Sequence, residues 1–378
     1  MKGLSLFANV GIAETYLHEI GIDIVVANEL LNDRARFYKH LYPKTNMIQG
    51  DITNKSIYQE VIKACKKENI DLIMATPPCQ GMSLAGIKNP YDERNTLIKY
   101  AVDAVVDLKP KYVLFENVVQ QLKTPIEYKG KMITIPLYII ERLGKDYNIN
   151  ENKILNTMDY GIPQNRKRAL FLLTRKDTKI KWEFPKKESH IVTLEEAIGD
   201  FPSLYPTVKE KEYGNKIPSN FKKNLSFHKW HQPKTHAWRQ IEAMLHTPTG
   251  QSAYKNLDYF PKTIDGKKVS GGTFTYMRMD WKKPAPTVTM YNGSISSFTN
   301  VHPGRKLKDG TYSDPRVLTI FELMKVTSLP DDWNIPEWAS ENLVRRVIGE
   351  GIPPLAVKKI FLELLKEVNN GKLLVSSK

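Results

Sequence analysis

The fold class of this chain follows from the stretch Asp71-Leu72-Ile73-Met74-Ala75-Thr76-Pro77-Pro78-Cys79-Gln80-Gly81. Its short apolar run predicts a buried parallel strand, and the two prolines, which have a fixed φ and no N–H donor, direct the chain out of the sheet. Cys79 is thereby brought to the carboxyl edge of the sheet, where open α/β folds bind their ligands. A lone cysteine is more often structural, but the neighbours of Cys79 are polar, so we interpret its thiol as a reactive group.

Apolar strands and amphipathic helices alternate on both sides of this stretch. The strands are predicted at residues 4–8, 24–28, 46–49, 72–76, 112–116, 154–158 and 169–174. Helical patterns, such as 58–67 and 95–108, lie between the earlier strands. This alternation predicts an α/β fold with a doubly wound, mostly parallel sheet. The last two strands have no helical pattern between them, so we expect them to form an antiparallel hairpin at one edge.

The chain is predicted to have a sheet domain at residues 1–184, a smaller domain at 185–333 and a C-terminal segment at 334–378. The smaller domain is expected to be irregular with some strands, because it consists of short polar segments rich in Pro, Gly, Thr and aromatic residues. A long amphipathic helix begins after Pro353. Its apolar face needs a core, and the sheet domain is the expected host.

The 378-residue chain is basic, with 56 Lys and Arg against 41 Asp and Glu and a formal net charge of +15. Such a charge is typical of proteins that bind nucleic acid, although a composition rich in Lys, Asn and Ile can also produce it. We expect no membrane span and no signal peptide, since no apolar run is long enough and the N-terminus opens into a strand. The only cysteines are Cys65, expected in the core, and Cys79, which favours the reducing cytoplasm.

The first strand leads into the turn Phe7-Ala8-Asn9-Val10-Gly11-Ile12, at the position of a nucleotide-binding turn but without the GxGxxG spacing. Glu29 ends the second strand, where a carboxylate meets a ribose diol in doubly wound folds, and Asp51 follows the third. Either acid alone is more typical of a helix N-cap. Both together, beside a glycine-containing turn, favour an adenosine site.

The strand at 112–116 brings Glu116 to the same edge as Cys79. A carboxyl group in such a pocket, partly shielded from water, is expected to have a raised pKa and to donate a proton near neutral pH. Between the last two strands, Gln164, Arg166 and Arg168 alternate along the chain. The alternation predicts that their side chains share one face of an extended segment, although a solvated hairpin turn can carry the same charges.

With these motifs in this order, the chain resembles the DNA (cytosine-5) methyltransferases of bacterial restriction–modification systems along nearly all of its length. The motifs that carry the resemblance are Phe7-Ala8-Asn9-Val10-Gly11, Pro77-Pro78-Cys79-Gln80, Asp92-Glu93-Arg94-Asn95-Thr96-Leu97, Glu116-Asn117-Val118, Gln164-Asn165-Arg166-Lys167-Arg168, Arg316-Val317-Leu318-Thr319-Ile320-Phe321-Glu322 and Gly349-Glu350-Gly351-Ile352-Pro353-Pro354. The resemblance implies a Rossmann-like sheet that binds S-adenosylmethionine, with a target recognition domain at 185–333.

The resemblance also implies which residues form the site. The catalytic residues are expected to be Cys79, Gln80, Glu116, Arg166 and Arg168. The cofactor is expected to contact Phe7, Ala8, Asn9, Gly11, Glu29, Asp51, Ile52, Pro78 and Leu97. DNA contacts are expected from Ser83, Arg94, Gln164 and Arg278, and no metal is expected.

In the implied reaction, the Cys79 thiolate attacks carbon 6 of a cytosine that is flipped out of the duplex. Glu116 protonates ring nitrogen 3, while Arg166 holds the ring carbonyl oxygen and favours the thiolate. S-adenosylmethionine gives its methyl group to carbon 5 and leaves as S-adenosylhomocysteine. The expected partners are double-stranded DNA and a cognate restriction endonuclease that acts on the same site without direct contact. We expect a monomer that does not contact membranes.

The chain departs from the family pattern at two motifs. The family usually has glycine at the positions of Asn9 and Ile12, so the cofactor turn is expected to be less open here. Asparagine tolerates the left-handed backbone conformation, whereas isoleucine does not. Near the C-terminus, Glu350 stands where the family usually has asparagine.

Three alternatives are open. The related tRNA cytosine-5 methyltransferases share the catalytic motifs, but they resemble a form with a reduced recognition region, so the long region here favours DNA. A nicotinamide-dependent oxidoreductase would require a GxGxxG turn and would leave Pro77-Pro78-Cys79-Gln80 unexplained. A catalytically dead DNA-binding module is disfavoured because Cys79, Glu116 and Arg166 are all present.

Overall fold

The computed structural model describes residues 1–78, 93–211, 227–272 and 274–376. Its centre is an eight-stranded sheet with the order β3-β2-β1-β4-β5-β11-β8, in which β9 also pairs with β11. The strands are β1 (Lys2–Leu6), β2 (Asp23–Glu29), β3 (Asn46–Gln49), β4 (Leu72–Ala75), β5 (Tyr112–Asn117), β8 (Tyr147–Ile149), β9 (Ile154–Asn156) and β11 (Lys167–Arg175). The first five are parallel. The α/β class and the doubly wound sheet are therefore confirmed.

The antiparallel end of the sheet also agrees with prediction. Strand β9 pairs with β11 in the register Arg168↔Leu155, and β11 pairs with β5 in the register Leu170↔Glu116. The predicted strand at 154–158 ends early, because Thr157–Tyr160 forms a turn of 3₁₀ helix. Two features were not predicted: the three-residue strand β8, and a hairpin of β6 (Pro125–Tyr128) and β7 (Lys131–Thr134).

Some of the helices pack on the two faces of the sheet, and others lie in the region that follows it. The helices are α1 (Asn32–Leu41), α2 (Lys55–Glu68), α3 (Ile98–Leu108), α4 (Ile135–Leu143), α5 (Leu194–Ile198), α6 (Trp238–Leu245), α7 (Ile320–Val326), α8 (Glu341–Glu350) and α9 (Pro354–Ser376). Cys65 of α2 lies in the core on one face, as predicted. On the other face, Ile360 and Phe361 of α9 pack against Leu72 and Leu114, so the expected host of this helix is confirmed. No described helix is long and apolar enough to cross a membrane.

The described part of residues 185–333 is irregular. Its strands are two residues long: β12 (Thr207–Val208) pairs with β13 (Thr235–His236), and β14 (Ala285–Pro286) pairs with β10 (Gln164–Asn165). One apolar core of this region contains Met244, Tyr276 and Val317. A larger core joins Leu318 and its neighbours to Val10, Ile12 and Phe37 of the sheet domain. The first strand's turn is therefore packed between the two parts of the chain.

Candidate active site

The site lies at the carboxyl edge of the sheet, where the strand order reverses. From β1 the chain proceeds to β2 and β3 on one side and later to β4 and β5 on the other. Such a reversal opens a crevice between the strand ends, which is the usual ligand site of a doubly wound sheet. Several of the predicted site residues lie at or just after the carboxyl ends of the parallel strands β1 to β5, so they share this edge of the sheet.

The turn after β1 is tightly built. Phe7 and Asn9 both have positive φ, 57° and 51°, and Gly11 has a φ of 79°. A β-carbon at Gly11 would clash with the ring of Tyr42, whose hydroxyl donates to the Gly11 carbonyl over 2.7 Å. Asn9 therefore has the left-handed backbone conformation in which glycine is usually found. This agrees with the known tolerance of asparagine for that conformation.

Glu29 links the ends of β1 and β2. One carboxylate oxygen accepts the Asn9 N–H and the other accepts the Leu31 N–H, each over 2.9 Å. Burial raises the pKa of Glu29, although these hydrogen bonds oppose the shift. Glu29 is not an N-cap, because Leu31 occupies that position of α1.

Asp51 remains at the surface beyond β3. Its Oδ1 accepts the N–H of Thr53 over 2.9 Å, and α2 is capped by Asn54, so Asp51 is not an N-cap either. The side chain of the next residue, Ile52, is buried. A carboxylate oxygen has room for a second donor, and both Glu29 and Asp51 thus have capacity for a ligand.

Strand β4 ends beside both neighbouring motifs. The Thr76 hydroxyl donates to the carbonyl of Phe7 over 3.1 Å, and the Asn117 amide donates to the carbonyl of Pro77 over 3.0 Å. The main chain is thereby fixed up to Pro78, which is half-buried. The predicted site residues Cys79, Gln80 and Ser83 lie outside the described residues. Among the described residues that follow, Arg94 is exposed and Leu97 is half-buried.

Glu116 and Arg168 form the charged pair of the site. Arg168 Nε lies 2.9 Å from Glu116 Oε1, and both side chains are largely buried. Burial raises the pKa of Glu116, while the charges of Arg168 and Arg166 act in the opposite direction. The raised pKa predicted for this carboxyl group is confirmed.

The described hydrogen bonds of Arg166 connect it to the rest of the protein, although its charge also acts on Glu116. Its guanidinium is buried and donates to the carbonyls of Val288, Gly349 and Glu350 over 2.8, 3.1 and 3.2 Å. The predicted DNA contact of Gln164 is wrong. Its buried amide donates to the Val326 carbonyl and accepts the Val288 N–H. Because β10 pairs with β14, this part of the segment faces protein, and Arg168 is the member of the alternation beside Glu116.

The predicted DNA contact of Arg278 is also wrong. Its guanidinium is fully buried and donates to the carbonyls of Met244, His302 and Asp314. Burial lowers the pKa of Arg278 to about 9. The side chain is thus a crosslink inside the small core, with no surface to offer a DNA base.

Another segment within residues 185–333 is exposed to solvent. We name residues 255–272 together with Phe274 the recognition loop. Its large apolar side chains are unusually exposed: Leu257 by 89%, Ile264 by 91% and Phe274 by 72%. Lys255 and Lys268 are exposed beside them. The segment 270–278, which includes Phe274, is a plausible DNA-contact segment from its sequence, but the sequence did not single out Leu257 and Ile264. Apolar and basic residues without helical or strand periodicity were a usable signal for them.

The fold and site define an enzyme class that binds a nucleotide-like cofactor beside a protonatable carboxyl group, and the described residues contain no cluster suited to a metal. The chain belongs to the C-5 cytosine-specific DNA methylase family, whose model matches residues 1–366. It is 44% identical over 372 residues to the Type II methyltransferase M1.HgaI of Avibacterium volantium, covering 97% of this chain and 99% of the relative. It is 27% identical to M.XorII of Xanthomonas oryzae, covering 96% and 84%.

Solved structures share the fold. A prophage-encoded protein of Escherichia coli, described as a DNA modification methyltransferase, matches with a TM-score of 0.68 and 22% identity, covering 98% of this chain and 99% of that one. A variant of DNMT2 from Spodoptera frugiperda matches with a TM-score of 0.60 and 18% identity, covering 97% and 99%. At these identities the likeness shows the fold alone.

Proposed function

We propose that this C-5 cytosine-specific DNA methyltransferase is the modification enzyme of a Type II restriction–modification system and works through a covalent adduct of Cys79. The observation that carries the proposal is the buried Glu116–Arg168 pair, 2.9 Å apart, beside the strand end that leads to Cys79. The 44% identity to the Type II methyltransferase M1.HgaI over nearly the whole of both chains supports the restriction–modification role.

The residues around the first turn fit S-adenosylmethionine, on which the family depends. Among the described residues, the buried Asn9 Oδ1 has no hydrogen-bond partner and is suited to a donor on a ligand. Glu29 and Asp51 follow successive strands and suit a ribose and an adenine amino group. We assign the cofactor site to Phe7, Ala8, Asn9, Gly11, Glu29, Asp51, Ile52, Pro78 and Leu97. When bound, the cofactor supplies an electrophilic methyl group on a sulfonium.

The residues of the chain activate the base. The thiolate of Cys79 adds to carbon 6, and the protonated Glu116 gives its proton to nitrogen 3, so the ring becomes an enamine that is nucleophilic at carbon 5. We place Arg168, rather than Arg166, on the ring carbonyl oxygen. After methylation, a base removes the carbon 5 proton, the Cys79 thiolate is expelled from carbon 6, and the proton on nitrogen 3 returns to Glu116, which restores the aromatic ring and the acid. The raised pKa of Glu116 suits its role as an acid.

The DNA is held by the basic surface and read by the recognition loop. A net charge of +15 favours binding to phosphates, and the exposed apolar and lysine side chains of the loop suit contact with base edges and backbone. Since the target base must leave the duplex, we assign Gln80, Ser83 and Arg94 to the flipped base and its surroundings. We propose that the enzyme acts as a monomer in the cytoplasm, beside an endonuclease of the same site.

Bisulfite sequencing of DNA from cells that express the protein tests this proposal. We expect cytosines protected within one short sequence motif, and no protection in cells that express Cys79→Ser. Methylation of purified duplex DNA and of tRNA should be compared in parallel. Methylation of tRNA alone, or protection of DNA by the Cys79→Ser variant, would contradict the proposal.

A further inference from the structure

Two of the three residues that depart from the family pattern, Asn9 and Glu350, contact each other. The Asn9 side-chain amide donates to Glu350 Oε2 over 3.1 Å, although the residues are 341 positions apart. By the resemblance described above, the usual family residues at these two positions are glycine and asparagine. Glycine at position 9 has no side chain to reach position 350. The contact therefore requires the side chain at position 9, and the carboxylate of Glu350 is its acceptor.

Two cations also contact the carboxylate of Glu350. Arg34 of α1 lies 2.9 Å from it, and Arg346 of α8 lies 3.2 Å from it. Arg34 and Glu350 are mostly shielded from solvent, with side chains 13% and 20% exposed, so this pair is less screened than a surface ion pair. The Glu350 main chain is fixed separately, because its carbonyl accepts from Arg166 over 3.2 Å.

The third departure lies against the same block. A β-carbon at Gly351 would come within 2.9 Å of Ile12 Cγ2, so this position accepts only glycine without a shift of Ile12. Asn9 and Ile12, which both replace family glycines in the turn, are thus matched by Glu350 and Gly351 in the C-terminal block. The additional side chains fill space and make contacts that an open glycine turn leaves unmade.

We propose that Asn9, Glu350 and Arg34 form a clamp that positions the cofactor turn, and that Asn9 and Glu350 function only as a pair. The clamp holds Asn9 in its left-handed conformation, at φ 51°, and keeps the turn against α1 and α8. Glu350 is a positioning residue, since it acts on the turn through the Asn9 amide. The inference rests on the proposed cofactor site.

A double-mutant cycle tests the pairing. Asn9→Gly, Glu350→Asn and the double variant, which restores the family pattern at both positions, are titrated with S-adenosylhomocysteine by calorimetry. We expect each single change to weaken binding about tenfold, since contacting residues couple measurably. The double variant should lose about tenfold in affinity relative to the parent, or less. Independent effects of the two changes would instead multiply to a loss of about a hundredfold. Glu363→Gln, which removes a surface pair with Lys366 on α9, is the matched control and should bind as the parent does.

Thermal unfolding without the ligand separates positioning from general stability. The clamp predicts that Glu350→Gln, which keeps an acceptor for Asn9 but loses the charge, weakens binding several-fold while its melting temperature stays within a few degrees of the parent. The clamp would be overturned if the affinity losses of the two single variants multiplied in the double variant. It would also be overturned if Glu350→Asn bound S-adenosylhomocysteine as tightly as the parent does. If the parent enzyme itself fails to bind S-adenosylhomocysteine, the proposed cofactor site fails as well, which distinguishes the two failures.

Discussion

Arg168 and Glu116 are joined across the end of the sheet by an ion pair of 2.9 Å. Their strands are antiparallel neighbours, and Glu116 lies opposite Leu170, two residues beyond Arg168. The arginine is therefore positioned by the sheet itself and not by a loop. Two effects on the pKa of Glu116 oppose each other in this arrangement. Burial raises the pKa, and the charge of Arg168 reduces the rise.

Replacing Glu116 by glutamine should abolish proton donation while preserving the shape of the side chain. General acids contribute about 10²- to 10⁴-fold to rate, so we expect Glu116→Gln to lower the single-turnover rate of methyl transfer at least about a hundredfold. The measurement is incorporation of tritiated methyl groups into duplex DNA. Glu127→Gln, at an exposed site on β6, is the control. A Glu116→Gln enzyme with a rate near that of the parent would exclude this residue as the acid.

Replacing Arg166 and replacing Arg168 by alanine should have different effects on stability and activity. Arg166→Ala leaves three backbone carbonyls without their donor, and an unmet buried group costs about 1–3 kcal/mol. We expect a clear loss of unfolding free energy in urea. Arg168→Ala should lose activity with less loss of stability, because Glu116, whose pKa is already raised, can become neutral. If Arg166→Ala instead lost activity with little loss of stability, Arg166 would be the residue that contacts the base.

Within the recognition region, buried and exposed cations should also differ. Arg278→Ala should lower stability but leave the DNA affinity of the folded protein unchanged, since its guanidinium is fully buried and donates to backbone carbonyls. Lys255→Ala with Lys268→Ala should weaken DNA binding and reduce the salt dependence by about two units of log–log slope, at about one per phosphate contact. Fluorescence anisotropy over a salt series measures both, with Lys366→Ala on α9 as the control. If the double lysine variant bound DNA with the affinity of the parent, Lys255 and Lys268 would not be part of the DNA-binding surface.

Acid should destabilise the protein through buried histidines. Burial lowers the pKa of His302 to about 4 and that of His236 to about 3, from 6.5. Between pH 6.5 and pH 4 the unfolded chain therefore binds protons that the folded chain does not, and the free energy of unfolding falls as the pH falls, by about 1.4 kcal/mol per unit for each group. Urea unfolding between pH 7.5 and pH 4.5 measures the slope. His302→Gln should reduce this slope, and an unchanged slope would contradict the assignment.

The sequence was a good guide where the signal is local. The strands that end at Glu29 and near Glu116, and the strand that precedes Cys79 in the sequence, were recognised because their apolar runs end at polar residues or prolines. Parallel strands place such ends together. The side chains of Arg166 and Arg278 were misjudged because their partners are distant in sequence. Arg166 bonds a carbonyl 183 residues away, and nothing near an arginine reveals such a partner.

The departures from the family pattern show the same limit. Asn9 and Glu350 were both visible as unusual residues, but their contact depends on α8 returning to the first turn. Likewise, β8 has three residues, too few for a periodic pattern, and forms because β11 offers it an edge. Local chemistry was therefore predictable, whereas the partners of long side chains were not.

The central claim is that Cys79 bonds to carbon 6 of the target cytosine, and its most direct test is trapping with duplex DNA that contains 5-fluorocytosine. Fluorine at carbon 5 prevents the final elimination, so the enzyme with S-adenosylmethionine should form a stable complex of DNA and protein. Mass spectrometry of the digested complex should place the modified nucleotide on the peptide that contains Cys79. No adduct, or an adduct on Cys65, would contradict the mechanism.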